Sequence, residues 1–166
     1  MPIILQETRA FRRCAGANLM LIFRNWNALV LVPYRLAMWC VHLSLLLCVT
    51  RGSDHMIKVS SLARGYAEAE YRYLRQVTNL CIAASFLCLF FNLWGVLTSR
   101  TLRFGVDNWF QGTCHGTAAL LLILSWQATA HVERIWQVFY IFSIIPTGIE
   151  AIVLGHSYWA GLELFW

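Results

Sequence analysis

Four long apolar stretches, almost free of charge, constrain this sequence more than any other feature. They cover residues 30–50, 77–98, 112–130 and 135–155. A helix rises 1.5 Å per residue, so about 20 residues cross a hydrocarbon core of about 30 Å. The pattern therefore predicts an all-α fold, a four-helix transmembrane bundle of up-down-up-down topology with a long first loop.

Composition supports a membrane protein. Hydrophobic residues make up 59% of the 166 residues and charged residues 13%, whereas soluble globular proteins contain roughly 25% charged residues. A water-soluble fold of this size could not bury so much apolar surface.

The net charge of +5 does not indicate nucleic-acid binding. The arginines cluster at the N-terminus and between the apolar stretches, without a basic stripe or a known binding module, as is typical of membrane-flanking charge. Most of the six cysteines fall inside or at the edge of apolar stretches, where they behave as small hydrophobic residues. No Cys/His spacing suggests zinc, and we expect no metal or other cofactor. Cys14, beside two arginines, is a weak candidate for palmitoylation.

The apolar stretches divide the chain into three parts. Residues 1–29 form a basic N-terminal arm, residues 30–155 the transmembrane domain, and residues 156–166 an aromatic tail without lysine or arginine. The tail either lies along the membrane interface or prolongs the last helix. An even number of spans places both termini on one side. We favour the cytoplasm because the arm is almost purely basic.

The longest polar stretch separates the first two spans. Residues 51–54, Arg-Gly-Ser-Asp, are expected to end the first span. Further on, Glu68 and Arg72 are four residues apart, which favours a helix that leads into the second span.

Ionisable residues inside the spans are the candidate site. Glu150 is the only carboxylate within a predicted span, and the hairpin of the last two spans places it at about the depth of His115. We therefore predict that the two meet inside the bundle as a hydrogen-bonded or charged pair. The pair would either stabilise helix packing or have a proton or ligand role. Similar reasoning on the first two spans suggests a second, weaker pair, Arg35 and Asn92. Alternatively, Arg35 lies in the first turns of its span, from which its side chain could extend to the lipid headgroups.

Two features of the last spans concern packing. Pro146 lies within the fourth span and predicts a kink, with Ser143 and Thr147 available to satisfy freed backbone groups. Small residues between 113 and 119 would let a neighbouring helix approach the third span closely.

Read in order, these features resemble the transmembrane protein 107 family, tetraspan proteins of the ciliary transition zone. The residues that carry the resemblance are Val32, Pro33, Arg35, Leu36, His42, Glu70, Tyr71, His115, Trp136, Phe139, Ser143, Pro146 and Glu150. Two departures are an N-terminal arm longer than the family's and Asn92, where relatives often have an acid.

The resemblance implies a structural component of the ciliary transition zone without catalytic activity. Such proteins are placed with meckelin, the tectonics and B9-domain proteins in the Meckel syndrome module, which controls ciliary membrane composition and supports cilium assembly. The alternative from the residues is a small oligomeric transporter or proton-linked channel that uses Glu150 and His115. An intramembrane enzyme is a poor match, because the sequence lacks a metal or nucleophile constellation.

Overall fold

Four helices form the part of the chain that the computed structural model describes, residues 25–62 and 65–161. They are α1 (Asn27–Ser61), α2 (Glu68–Leu97), α3 (Gly105–Gln127) and α4 (Glu133–Trp159). No strand occurs in these ranges, so the predicted all-α fold is confirmed. Most of the N-terminal arm, including Cys14, and the last five residues of the tail lie outside the described residues.

The first and fourth predicted spans lie within longer helices, whereas the second and third end one and three residues beyond α2 and α3. Residues 51–54, expected to end the first span, are helical and continue α1 to Ser61. Asp54 in this stretch is tied to α2 by an ion pair with Arg75 at 3.1 Å. The helix predicted before the second span forms, and Arg72 Nε donates to Glu68 Oε1 at 3.2 Å. The long first loop is therefore mostly a helical hairpin, joined by residues 62–67. At the C-terminal end of the chain, α4 extends into the tail as far as Trp159.

Contacts between the helices show the up-down-up-down arrangement. α1 and α3 run parallel, since Arg35 contacts Asp107 near one end and His42 contacts His115 further along both helices. α1 and α2 run antiparallel, and Trp39 Nε1 donates to the carbonyl of Leu89 at 2.9 Å. The main contacts between helices join α1 to α2, α2 to α4, α4 to α3 and α3 to α1, with α1 and α3 packed most extensively.

Three of the four helices, α1, α2 and α4, are long and apolar enough to cross a membrane. α3 is less apolar because its first half carries several polar residues. Those polar side chains face the bundle and are buried: Asp107, Asn108, Gln111 and His115. Apart from Gln127 at its end, its exposed large side chains are apolar or aromatic, including Val106, Trp109, Leu120 and Leu124. The packing thus gives α3 an apolar outer face like that of its neighbours.

The core has two chemically distinct halves. The half beside the start of α1 contains the buried arginine, histidine and acidic residues of the described chain, together with amides and hydroxyls. The other half is largely apolar, with a cluster that includes Leu46, Val49, Ile82, Leu122 and Phe139. The candidate site therefore lies in the polar half, and apolar side chains fill the other half of the core.

Candidate functional site

Arg35 is the centre of a buried ion cluster. Its Nη1 lies 3.1 Å from Asp107 Oδ2 and its Nη2 lies 2.8 Å from Glu150 Oε2. Arg35 is 1% exposed, Asp107 6% and Glu150 0%. The three side chains come from α1, α3 and α4, so one guanidinium links three of the four helices.

Two glycines make room for this cluster. A Cβ on Gly95 of α2 would overlap Glu150 Oε1 and would lie 2.7 Å from its Cδ. On α3, a Cβ on Gly112 would lie 3.3 Å from the Cα of Arg35 and 2.5 Å from Cε1 of Tyr34. α2 thus contributes the space that the Glu150 carboxyl group fills, and the missing side chain at Gly112 lets α1 approach α3.

Amide side chains extend the cluster towards the start of α1. Arg35 Nη1 also donates to Asn108 Oδ1 at 3.0 Å. Asn108 Nδ2 in turn donates to Asn27 Oδ1 at 2.9 Å and to the carbonyl of Leu102 at 2.8 Å. Asn27 Nδ2 donates to the same carbonyl at 2.7 Å. The network therefore fixes the loop before α3 against the first turn of α1.

Gln111 connects the cluster to the proline of α4. Its Nε2 donates to the carbonyl of Pro146 at 2.9 Å and lies 3.4 Å from Glu150 Oε2. Just before the proline, residues Tyr140–Ile144 form a π-helical turn, and Thr147 Oγ1 donates to the carbonyl of Ser143 at 2.6 Å. The kink of the helix axis stays a prediction, but the irregular backbone occurs where the proline predicts it.

A second polar contact lies deeper in the bundle. Nδ1 of His42 and Nδ1 of His115 are 3.1 Å apart, and both residues are 1% exposed. One nitrogen donates and the other accepts, so at least one of the two rings is a neutral tautomer. The pair joins α1 to α3, seven residues beyond the arginine along α1.

The predicted site residues lie inside the bundle, but their contact partners differ from the predicted ones. His115 pairs with His42 rather than with Glu150, which contacts Arg35 and Gln111 instead. The depth estimate was wrong by about one helical turn, because Gln111, one turn before His115, is the residue of α3 that lies beside Glu150.

The second predicted pair is also replaced. Arg35 faces Asp107 and Glu150, whereas Asn92 Nδ2 lies 3.4 Å from Thr147 Oγ1. The reason is that α1 packs most closely on α3, which carries carboxylate and amide side chains at this level, so the guanidinium binds groups of α3 and α4.

Sequence reasoning missed the polar start of α3. Asp107 was expected in a loop and Gln111 just before the third span, yet both are buried and bound in the cluster. A usable signal was present, because Arg35 and His42 are seven residues apart, as are Asn108 and His115. Residues seven apart lie on the same face of a helix, so each pair marks one polar face.

The arrangement is suited to holding helices together. An ionisable group deep in a span costs roughly 2.5–3.5 kcal/mol on insertion scales, so Arg35, Asp107 and Glu150 stabilise the bundle only as a paired unit. Among the described residues, no group of three or more His, Cys, Asp or Glu side chains could hold a metal ion.

Comparison with known proteins agrees with this architecture. The family model described as TMEM107, transmembrane protein, matches residues 31–154, about three quarters of the chain. The matched segment includes the ion cluster and both histidines of the deeper pair. No curated protein and no solved structure gives a significant match. The chain therefore belongs to the TMEM107 family of transmembrane proteins.

Proposed function

We propose that this protein is a structural membrane component of the ciliary transition zone, within the Meckel syndrome module. There it would help to form the barrier that controls ciliary membrane composition and supports cilium assembly. Membership of the TMEM107 family is the observation that carries this proposal. Its partners would be meckelin, the tectonics and B9-domain proteins, and its role would involve no catalysis.

The buried cluster supports a role as a rigid scaffold. Arg35 connects α1, α3 and α4, and Glu150 fits against α2 at Gly95. Breaking a buried ion pair costs about 3–5 kcal/mol, because the remaining partner keeps an uncompensated charge. Rotation of one helix against the others would incur that cost. The outer faces of the bundle are therefore held in a fixed arrangement for partner helices.

The hairpin beyond the apolar part of α1 is a candidate contact for extramembrane partners. It comprises residues 51–61 of α1 and 68–76 of α2, and its Ile57 and Tyr71 form a buried cluster with Val132 of the turn between α3 and α4. Lys58 Nζ lies 5.1 Å from the centre of the Tyr71 ring. With both termini in the cytoplasm, this hairpin lies on the opposite side of the membrane, and the N-terminal arm is the cytoplasmic contact.

The distribution of polar side chains favours a scaffold over a proton-linked channel. The buried arginine, histidine and acidic residues of the described chain lie between the start of α1 and the His42–His115 pair. Beyond that pair, the core cluster is apolar, including Leu46, Val49 and Leu122. A single bundle thus provides a polar region that ends about halfway along its length. Proton flux in liposomes containing the purified protein would support the channel instead.

Localisation in ciliated cells tests the proposal. A tagged protein should form a ring at the ciliary base, and depletion should let membrane proteins enter the cilium without selection. Glu150→Leu should weaken that ring and the recovery of meckelin, because it removes a partner of Arg35. Ile152→Leu is the matched control, since Ile152 is 72% exposed on the same helix. A wild-type protein spread evenly over the plasma membrane would contradict the ciliary role.

A further inference from the structure

Two carboxyl groups share one guanidinium in the buried cluster. Arg35 uses Nη1 for Asp107 and Nη2 for Glu150. The two nitrogens belong to one planar group, so the two carboxyl groups meet at the same guanidinium, and both are buried. A hydrogen bond between two carboxyl groups needs a proton on one of them, because an ionised carboxylate can only accept.

The charge count of the cluster leads to the same requirement. One arginine and two ionised carboxylates would carry a net charge of −1 in a region that is shielded from water. α2 contributes Gly95 and Asn92 at this level, neither of which is charged. Of the other titratable side chains, Tyr34 packs against Gly112 beside Arg35, and His115 and its partner His42 lie deeper in the bundle. An additional positive charge is therefore needed for a neutral core.

We propose that Asp107 and Glu150 together bind one proton, which makes the cluster a buried single-proton site. One carboxyl group is then neutral and donates to the other, which stays ionised and pairs with Arg35. A metal cation suits the place less well than a proton, because the guanidinium already occupies one side of both carboxyl groups. The inference rests on the geometry of the cluster and does not depend on the ciliary role.

Several buried oxygen atoms of the cluster lack a hydrogen-bond partner, which supports a proton-binding site. Asp107 Oδ1, Glu150 Oε1 and Gln111 Oε1 are buried and accept no hydrogen bond from the described residues. Buried polar atoms in native structures are nearly always hydrogen-bonded. A proton on one carboxyl group supplies a donor for one of these buried acceptors.

Infrared spectroscopy of the full-length protein in lipid nanodiscs tests the proposal directly. At neutral pH the wild-type protein should show the C=O stretch of a protonated carboxylic acid. Glu150→Gln and Asp107→Asn should each abolish that band, because the single remaining carboxylate pairs with Arg35 in its ionised form. Glu133→Gln is the control and should leave the band unchanged, since the side chain of Glu133 is 82% exposed.

Stability measurements keep the test decisive if a variant folds poorly. Each single variant should unfold near the wild-type denaturant concentration, whereas the double variant should unfold at a clearly lower one, because Arg35 then has no counter-charge. Absence of the protonated band in the wild-type protein would overturn the proposal without any variant. A band that persists in both single variants, or stability that depends on sodium ions, would also overturn it.

Discussion

Replacing Gly95 by alanine should destabilise the protein, although alanine is the better helix former. Gly95 lies inside α2, where a Cβ would overlap Glu150 Oε1 and lie 2.7 Å from Cδ and 3.2 Å from Cγ. The Glu150 side chain is fully buried and paired with Arg35 at 2.8 Å, so it cannot move aside without leaving its partner. The added methyl group therefore acts on the ion cluster through Glu150.

The magnitude follows from two opposing terms. Losing the buried pair costs about 3–5 kcal/mol, and the higher helix propensity of alanine returns about 1 kcal/mol. The net loss in the free energy of unfolding should thus be about 2–4 kcal/mol. It would be measured by reversible denaturant unfolding in micelles, with tryptophan fluorescence as the signal.

Two controls isolate the cause. Gly148 and Gly155 lie in α4, and a Cβ at either would meet no atom within 4 Å. Alanine there should stabilise the protein by about 0.5–1 kcal/mol. In a double-mutant cycle, Glu150→Ala should remove most of the penalty of Gly95→Ala, because the obstacle is gone. If Gly95→Ala unfolds at the same denaturant concentration as Gly148→Ala, the argument for a Glu150 carboxyl group packed on α2 fails.

Three further predictions concern other parts of the fold. Gly112→Ala should cost about 1–3 kcal/mol by separating α1 from α3, because its Cβ would lie 3.3 Å from the backbone of Arg35; unchanged unfolding would contradict this close packing. Thr129, just after α3, has φ of 44°, a backbone conformation that glycine adopts more easily than threonine. Thr129→Gly should therefore stabilise the protein by about 0.5–1 kcal/mol in the same assay. A loss of stability would count against that backbone conformation. A glycosylation sequence inserted with a flexible linker at Gly65 should be modified in cells, whereas the same insertion in residues 98–104 should not; the reverse result would invert the proposed orientation.

The sequence was most informative where lipid limits the choices. Long apolar stretches predicted the helices, and the cost of ionisable groups in lipid predicted that His115 and Glu150 face other helices. The bundle and its four-helix architecture follow from these two requirements. The hairpin between α1 and α2 was less evident, because its helical turns lie beyond the apolar stretch and depend on contacts such as that between Asp54 and Arg75.

Partner choice could not be predicted in the same way. Depth along the membrane normal is set by counting residues, but contact also depends on the rotation of each helix and on which helices are neighbours. A change of one residue rotates a side chain by about 100° around the helix. The close packing of α1 on α3, permitted by Gly112, directs Arg35 to Asp107 and leaves Asn92 to Thr147.

By itself, the sequence determined that this chain forms helices in a membrane and that its few ionisable core residues are turned inwards, because hydrocarbon offers them no other partners. The tertiary structure alone decided which of them meet, and so produced a cluster of Arg35, Asp107 and Glu150 beside a separate pair of histidines. The physical reason is that burial is a property of one helix and its solvent, whereas pairing depends on the relative positions of three or four helices.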